Sequence, residues 1–217
     1  MLAVYDCQFV PSQHSELIKQ SVQRRGISRV WHLSRVSQLR DIFGAGALLS
    51  RAEMDRLGIV YGMSGWGNDA KAEELKDYIC CSVVCPWGMS KEEPETKALI
   101  SLDPKVLLRE GLLFCGTWSS FGDVSIDNLR GNCTVEAFDL MFENATSSFP
   151  APPPGEFLVP KCIPVSEFHP RIYFYDEQVK EQAIQSCGNV RFPSGGIVQT
   201  VFQFIIDKYY FRGLARP

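Results

Sequence analysis

The sequence predicts an α+β domain, and three observations carry that reading. Short helical patterns cluster in the first half of the chain, strand patterns dominate the second, and no regular strand–helix alternation marks a doubly wound sheet. The 217 residues suffice for one large domain. Composition is 45% apolar, 22% charged and 12% aromatic, and no internal repeat or long polar tract is present.

Residues 1–27 read as an amino-terminal appendage and 28–217 as the main domain, with a short polar helix over Ser12–Arg24. The segment RVWHL (29–33) reads as a strand. Ser34 is placed to cap a following helix in which Val36, Leu39, Ile42 and Phe43 fall at helical spacing. Gly44 and Gly46 end that helix, and residues 46–58 predict a turn and a second short helix. The glycine-rich stretch 61–69 predicts a loop. Asp77–Val84 and Lys97–Asp103 read as buried strands, and residues 103–111 as a short helix with Asp103 as cap and Pro104 at its first position. Phe114–Asn132 is ambiguous, whereas Thr134–Asn144 is helical in pattern. The run SSFPAPPPG (147–155) is a stiff extended loop. A strand then opens at Glu156, with Pro160 placing it near an edge or at a bulge. Residues 171–176 read as a strand, 177–185 as a helix and 196–211 as a strand.

The formal net charge of −3 and a pI near 5.7 argue against broad non-specific binding to duplex nucleic acid, though not against a local basic cleft. Eight cysteines show no paired CxxC, and Cys80, Cys81 and Cys85 lie in an apolar run, so the thiols read as small buried hydrophobes rather than metal ligands or a disulfide framework. No stretch of about 18 apolar residues predicts a membrane span, and the opening residues lack the basic start of a signal peptide. A reducing cytoplasm is the expected compartment.

Two residues stand out chemically. His32 ends an apolar strand just ahead of a helix, a corner well placed to hold a ligand, although most histidines in such settings are structural. Glu156 opens an apolar strand behind a rigid proline loop, and stiff surroundings favour precise placement of a catalytic group; acidic residues at strand ends are more often simply solvated. A Cys–His nucleophile pair is disfavoured because the nearby thiols sit in an apolar run. No dinucleotide, P-loop, zinc-protease or nucleophile-elbow motif occurs.

Four segments in order give the chain a resemblance to the DarT family of DNA ADP-ribosyltransferase toxins. VWHLSRVSQLRDIFGAGALLSR (30–51) resembles the family's opening, DYICCSVVCP (77–86) its DYxPFYFCP strand, GEFLVPKCIPVSEF (155–168) its AEFLV segment, and IIDKYYF (205–211) its closing strand. The resemblance implies an ADP-ribosyltransferase-like fold, with two packed, mainly antiparallel sheets and short helices around an NAD cleft. It implies NAD as co-substrate, no metal, and Glu156 as catalytic carboxylate. His32, Leu33, Ser34, Gln38, Gly46, Leu48 and Tyr78 would line the NAD, with the main chain at Leu33 meeting the nicotinamide amide. Trp118, Ser119 and Phe121 would meet a nucleobase of single-stranded DNA or RNA, and Arg109, Arg130 and Lys161 are candidate phosphate contacts. The implied setting is a toxin or phage-defence effector with an antitoxin or ADP-ribose-removing partner. The chain departs from the family in having no arginine in 61–76, no tyrosine equivalent to FYF, and no histidine in 116–125. Modification of a protein side chain, and a non-catalytic NAD-binding module, remain alternatives.

Overall fold

The computed structural model describes residues 7–59, 73–84, 96–115, 125–143, 155–192 and 196–207. Their helices are α1 (Ser15–Arg24), α2 (Leu39–Ala45), α3 (Arg51–Arg56), α4 (Ile126–Leu129), α5 (Val135–Glu143), α6 (Glu177–Cys187) and α7 (Val198–Val201). The strands are β1 (Val30–Arg35), β2 (Ala47–Leu49), β3 (Tyr78–Ser82), β4 (Lys97–Leu102), β5 (Leu113–Cys115), β6 (Glu156–Pro160), β7 (Cys162–Pro164), β8 (Phe168–Phe174) and β9 (Gln203–Ile206). Seven strands form one sheet in the order β5-β6-β3-β1-β4-β8-β9, antiparallel except for β8 and β9, and β2 pairs with β7 in a second.

Alternation along the strands divides the main sheet cleanly. One face carries Val30, Ile79, Cys81, Ile100, Phe157, Val159, Ile172 and Phe174 into the principal core, where α1, α2, α5 and α6 pack. The other face carries two smaller clusters, one around Trp31, Leu99 and Tyr173 and one around Leu113, Cys115 and Leu158. The segment read as an appendage supplies α1, and its Ile18 and Val22 are buried in the principal core.

Several boundaries differ from the sequence reading. Ser34 lies within β1, and Arg35 takes the cap position of the 3₁₀ turn Val36–Gln38 that precedes α2. The turn expected after Gly46 is the short strand β2, with Gly46 itself left-handed at φ 72°. Residues 103–111 form a 3₁₀ turn, Pro104–Leu108, capped as expected by Asp103. The strand expected over 196–211 begins as helix α7 and becomes β9 only at Gln203, because Ile197, Val198 and Phe202 are spaced to bury a helical turn. Pro160 lies, as expected, near an edge: β5 pairs only with residues 156–158, so Pro160 is paired on the β3 side alone. Strand β6 lies between β5 and β3, and Pro160 closes it before Lys161, at φ 61°, turns the chain into the second sheet. The reading of all cysteines as free thiols also fails at one pair: Cys7 is disulfide-bonded to Cys162, with Cα atoms 6.0 Å apart. A residue on the amino-terminal strap and one on β7 are 155 positions apart, a proximity only the fold creates.

Candidate active site

The site is organised by a seam between β1 and β3. Val83 donates its N–H to the Gly155 carbonyl at 2.9 Å, which fixes the phase of the β3–β6 ladder. Val83 and alternate residues before it therefore direct their main-chain groups to β6, while Tyr78, Cys80 and Ser82 direct theirs to β1. On β1 it is Trp31, Leu33 and Arg35 that face β3. Yet Trp31↔Ser82 is the single register pair between these strands, whereas β1 pairs with β4 along its full length. Where Leu33 would pair with Cys80, the Cys80 carbonyl instead accepts from His32 Nδ1 at 2.9 Å. Arg35 N–H donates to Gln38 Oε1 at 3.3 Å, and Ser34 Oγ donates to the same oxygen at 3.3 Å. The β1 edge is thus closed at Trp31 and at Arg35, and open at Leu33.

A carbonyl only accepts, so the bond to Cys80 places the His32 hydrogen on Nδ1 and leaves Nε2 as the acceptor of the neutral ring. Desolvation lowers the His32 pKa most, Lys97 adds to that, and the Cys80 bond opposes it. The ring is neutral at pH 7.

Glu156 is buried, at 7% exposure, on the first residue of β6. Gly155 sets it there: its φ is 48°, and a Cβ at this position would meet Val83 Cγ2 at 2.2 Å, so only glycine allows β6 to close on β3. Glu156 stands opposite Ser82 on one side and Cys115 on the other, and Ser82 stands opposite Trp31. Glu156 and Trp31 therefore share one row and one face, two strand spacings or about 10 Å apart. Burial raises the Cys81 thiol pKa far above its usual range, and the Glu156 charge adds to the effect. His32 alternates with Val30 and Ser34 onto the opposite face, so the ladder does not aim His32 and Glu156 at one point. The open main-chain edge of Leu33 follows His32 on β1, two residues beyond the Glu156 row.

The other expected residues are distributed unevenly. Ser34 and Gln38 are tied to each other at the β1 corner. The Gly46 carbonyl accepts from Val165, and Leu48 is buried in the core with its main chain paired to Ile163, so both hold the β2–β7 pair. Tyr78 lies opposite Pro160, four residues from the Glu156 row, or about 13 Å along the strand. Its pKa is raised, first by burial and then by Asp77. Trp118, Ser119 and Phe121 lie outside the described residues, as does the loop at 61–69. Arg109 is not a phosphate contact. Its guanidinium grips Glu167 at 2.6 and 3.2 Å and the Cys162 carbonyl at 3.1 Å, in a buried pair that ties the 3₁₀ turn Pro104–Leu108 to β7 and to the 3₁₀ turn Val165–Glu167 ahead of β8. Arg130 is exposed and pairs with Asp127, and Lys161 is exposed. Sequence reading missed the Gly155–Val83 close approach and the Arg109–Glu167 pair; the glycine before Glu156 was the one signal for the former.

No protein-family model matches the chain, and no curated protein sequence does. Solved structures do. DarT from Thermus sp. 2.9 in complex with NAD+ superposes with a TM-score of 0.54 at 16% identity, over 85% of this chain and 98% of that one. The same protein in complex with ADP-ribosylated ssDNA gives 0.56 at 14% identity, over 86% and 97%. Thermosipho africanus DarTG in complex with ADP-ribose gives 0.55 at 14% identity, over 85% of this chain and 51% of that one. Likeness at this identity speaks to architecture, and it agrees with the mainly antiparallel sheet, the small second sheet and the short helices: the chain has the fold of the DarT ADP-ribosyltransferases.

Proposed function

We propose that this protein transfers ADP-ribose from NAD to a nucleobase of single-stranded DNA or RNA, with Glu156 as the catalytic carboxylate. The observation that carries the reading is the buried Glu156 in one strand row with Trp31, two residues from the open β1 edge at Leu33. At Leu33 that edge offers one N–H donor and one carbonyl acceptor, the complement of a carboxamide, which presents one acceptor oxygen and an NH₂ donor. His32 Nε2, fixed as an acceptor by the Nδ1 bond to Cys80, suits a ribose hydroxyl.

In the reaction the glycosidic bond between ribose C1 and the nicotinamide nitrogen breaks, and the nicotinamide leaves with the bonding pair. The ribose becomes oxocarbenium-like. A carboxylate held to a ribose hydroxyl in a desolvated site stabilises that charge more than it stabilises the ground state. A base nitrogen then bonds to C1 and loses its proton, for which Glu156 is the available base. Two DarT complexes, with NAD+ and with ADP-ribosylated ssDNA, support the choice of donor and acceptor by analogy of fold. The pairing in DarTG suggests an antitoxin or ADP-ribose-removing partner for this chain as well.

The second reading is a non-catalytic NAD-binding module, favoured by the lack of any arginine in 61–76. Incubation with NAD labelled in its adenylate half and separate pools of single-stranded DNA, RNA and protein distinguishes them. Label entering a nucleic-acid pool, and absent with Glu156→Ala, supports transfer. Intact NAD in every pool removes the enzyme reading.

A further inference from the structure

The face of the main sheet that carries Glu156 also carries a group of basic side chains at the same end of the sheet. Arg29, Trp31, Arg171 and Tyr173 share it by strand alternation, and a widening of β8 between Ile100↔Ile172 and Leu102↔Phe168 brings His169 beside them. Arg29 donates to the Tyr173 hydroxyl at 2.6 Å and lies over the Trp31 ring at 5.7 Å, and Trp31 meets Tyr173 edge to face at 5.8 Å. Arg171 is exposed, with its carbonyl held by Ser101 Oγ at 2.9 Å. No described acidic side chain forms an ion pair with Arg29, His169 or Arg171. Asp103, the acid that acts on His169, already accepts from Lys105 N–H. His169 Nδ1 is buried with no hydrogen-bond partner. Burial lowers the His169 pKa, and the charges of Arg29 and Arg171 lower it further. On a chain of net charge −3, two guanidinium groups beside a neutral imidazole, with no described acid in an ion pair with them, make a local anion site.

We propose that Arg29, His169 and Arg171 form a phosphodiester subsite that holds the backbone of the single-stranded nucleic-acid substrate while a base is presented to Glu156. The inference rests on the transfer reading above and adds to it where the acceptor strand lies. Arg29, two residues before Trp31, sits about 12 Å from Glu156, and Arg171 on β8 lies four strand spacings or about 19 Å from it, so the subsite falls on the order of two to three nucleotide spacings of an extended strand away. Phosphate groups there would supply the acceptor that the guanidinium hydrogens of Arg29 and Arg171 can use. The same chemistry would suit the pyrophosphate of NAD, and the test separates the two.

The experiment measures fluorescence anisotropy of short fluorescein-labelled DNA and RNA single strands of mixed sequence against salt, alongside the KM for NAD in label transfer. Arg171→Ala is expected to weaken binding several-fold and Arg171→Glu roughly tenfold, with the salt slope falling by about 0.7 for each phosphate no longer neutralised. The KM for NAD stays unchanged. Arg171→Lys, which keeps the charge, restores most of the affinity. Arg29→Gln, checked by thermal melting because Arg29 supports Tyr173, should weaken binding in the same direction. Unchanged strand affinity and salt slope in Arg171→Glu would overturn the subsite, and a raised KM for NAD with unchanged strand affinity would reassign it to NAD. No strand binding by the unsubstituted protein also overturns it. If label then still enters a protein pool, transfer stands with another acceptor, whereas intact NAD throughout sinks both readings.

Discussion

His32 Nδ1 donates to the main-chain carbonyl of Cys80 at 2.9 Å, at the place where β1 and β3 stop pairing. The imidazole takes an acceptor that would otherwise belong to Leu33, so one side chain both opens the strand edge and fixes its own tautomer. Removing it has two readable effects. His32→Ala is expected to raise the KM for NAD and cut kcat/KM by about 10- to 100-fold, comparable to the roughly 1–3 kcal/mol cost of leaving a buried hydrogen-bonding group unsatisfied. A steady-state NAD titration of the variant reads both parameters, and an unchanged KM would count against His32 as a donor-site residue.

Glu156→Gln preserves size and removes the charge. Label transfer should fall by on the order of 10²–10³-fold, the usual cost of one electrostatic stabiliser, while thermal stability stays near that of the unsubstituted protein. Full activity in this variant would exclude Glu156 as the catalytic carboxylate.

Gly155→Ala tests the placement of that carboxylate. The left-handed φ costs about 1–2 kcal/mol for a residue with a Cβ, and the clash with Val83 adds to it. Urea unfolding should show the loss, with transfer reduced by displacement of Glu156. A neutral result in both would mean that β6 can close on β3 without glycine.

The Arg109–Glu167 pair is predicted to be structural. Arg109→Ala strands a buried carboxylate and should cost about 3–5 kcal/mol. Replacing both partners, as Arg109→Met with Glu167→Leu, should restore most of that loss. A double-mutant cycle by chemical denaturation checks it, and a double variant no better than Arg109→Ala would contradict the assignment.

Acid should destabilise the fold through its histidines. The folded-state pKa values of His32 and His169 lie below their ordinary value of 6.5, so the unfolded chain binds more protons in the window between the folded values and 6.5. Stability therefore holds above pH 6.5 and declines as pH falls through that window. His169→Asn should flatten part of the decline, as followed by melting temperature against pH.

The α+β class, α6, β3, β4 and the strand opening at Glu156 were legible in the sequence because each rests on local pattern. Period-two apolar runs, an Asp103–Pro104 start and a proline loop act within a few residues of one another. Strand β9 misled because residues 197–202 carry apolar spacing that suits a helical turn as well as a strand, and only packing against α6 and the core decides between them. Glu156 and His32 could be named from the sequence as unusual residues, and their family resemblance gave them roles. What joins them could not be read there. The seam depends on which strands become neighbours, on a register set by Val83 and Gly155, and on an imidazole replacing one ladder bond. The basic group at Arg29, His169 and Arg171 likewise unites positions some 140 residues apart. The sequence by itself determined the elements and the chemistry each can bear; the tertiary structure decided which of them meet, because strand pairing and burial depend on contacts between residues far apart in the chain.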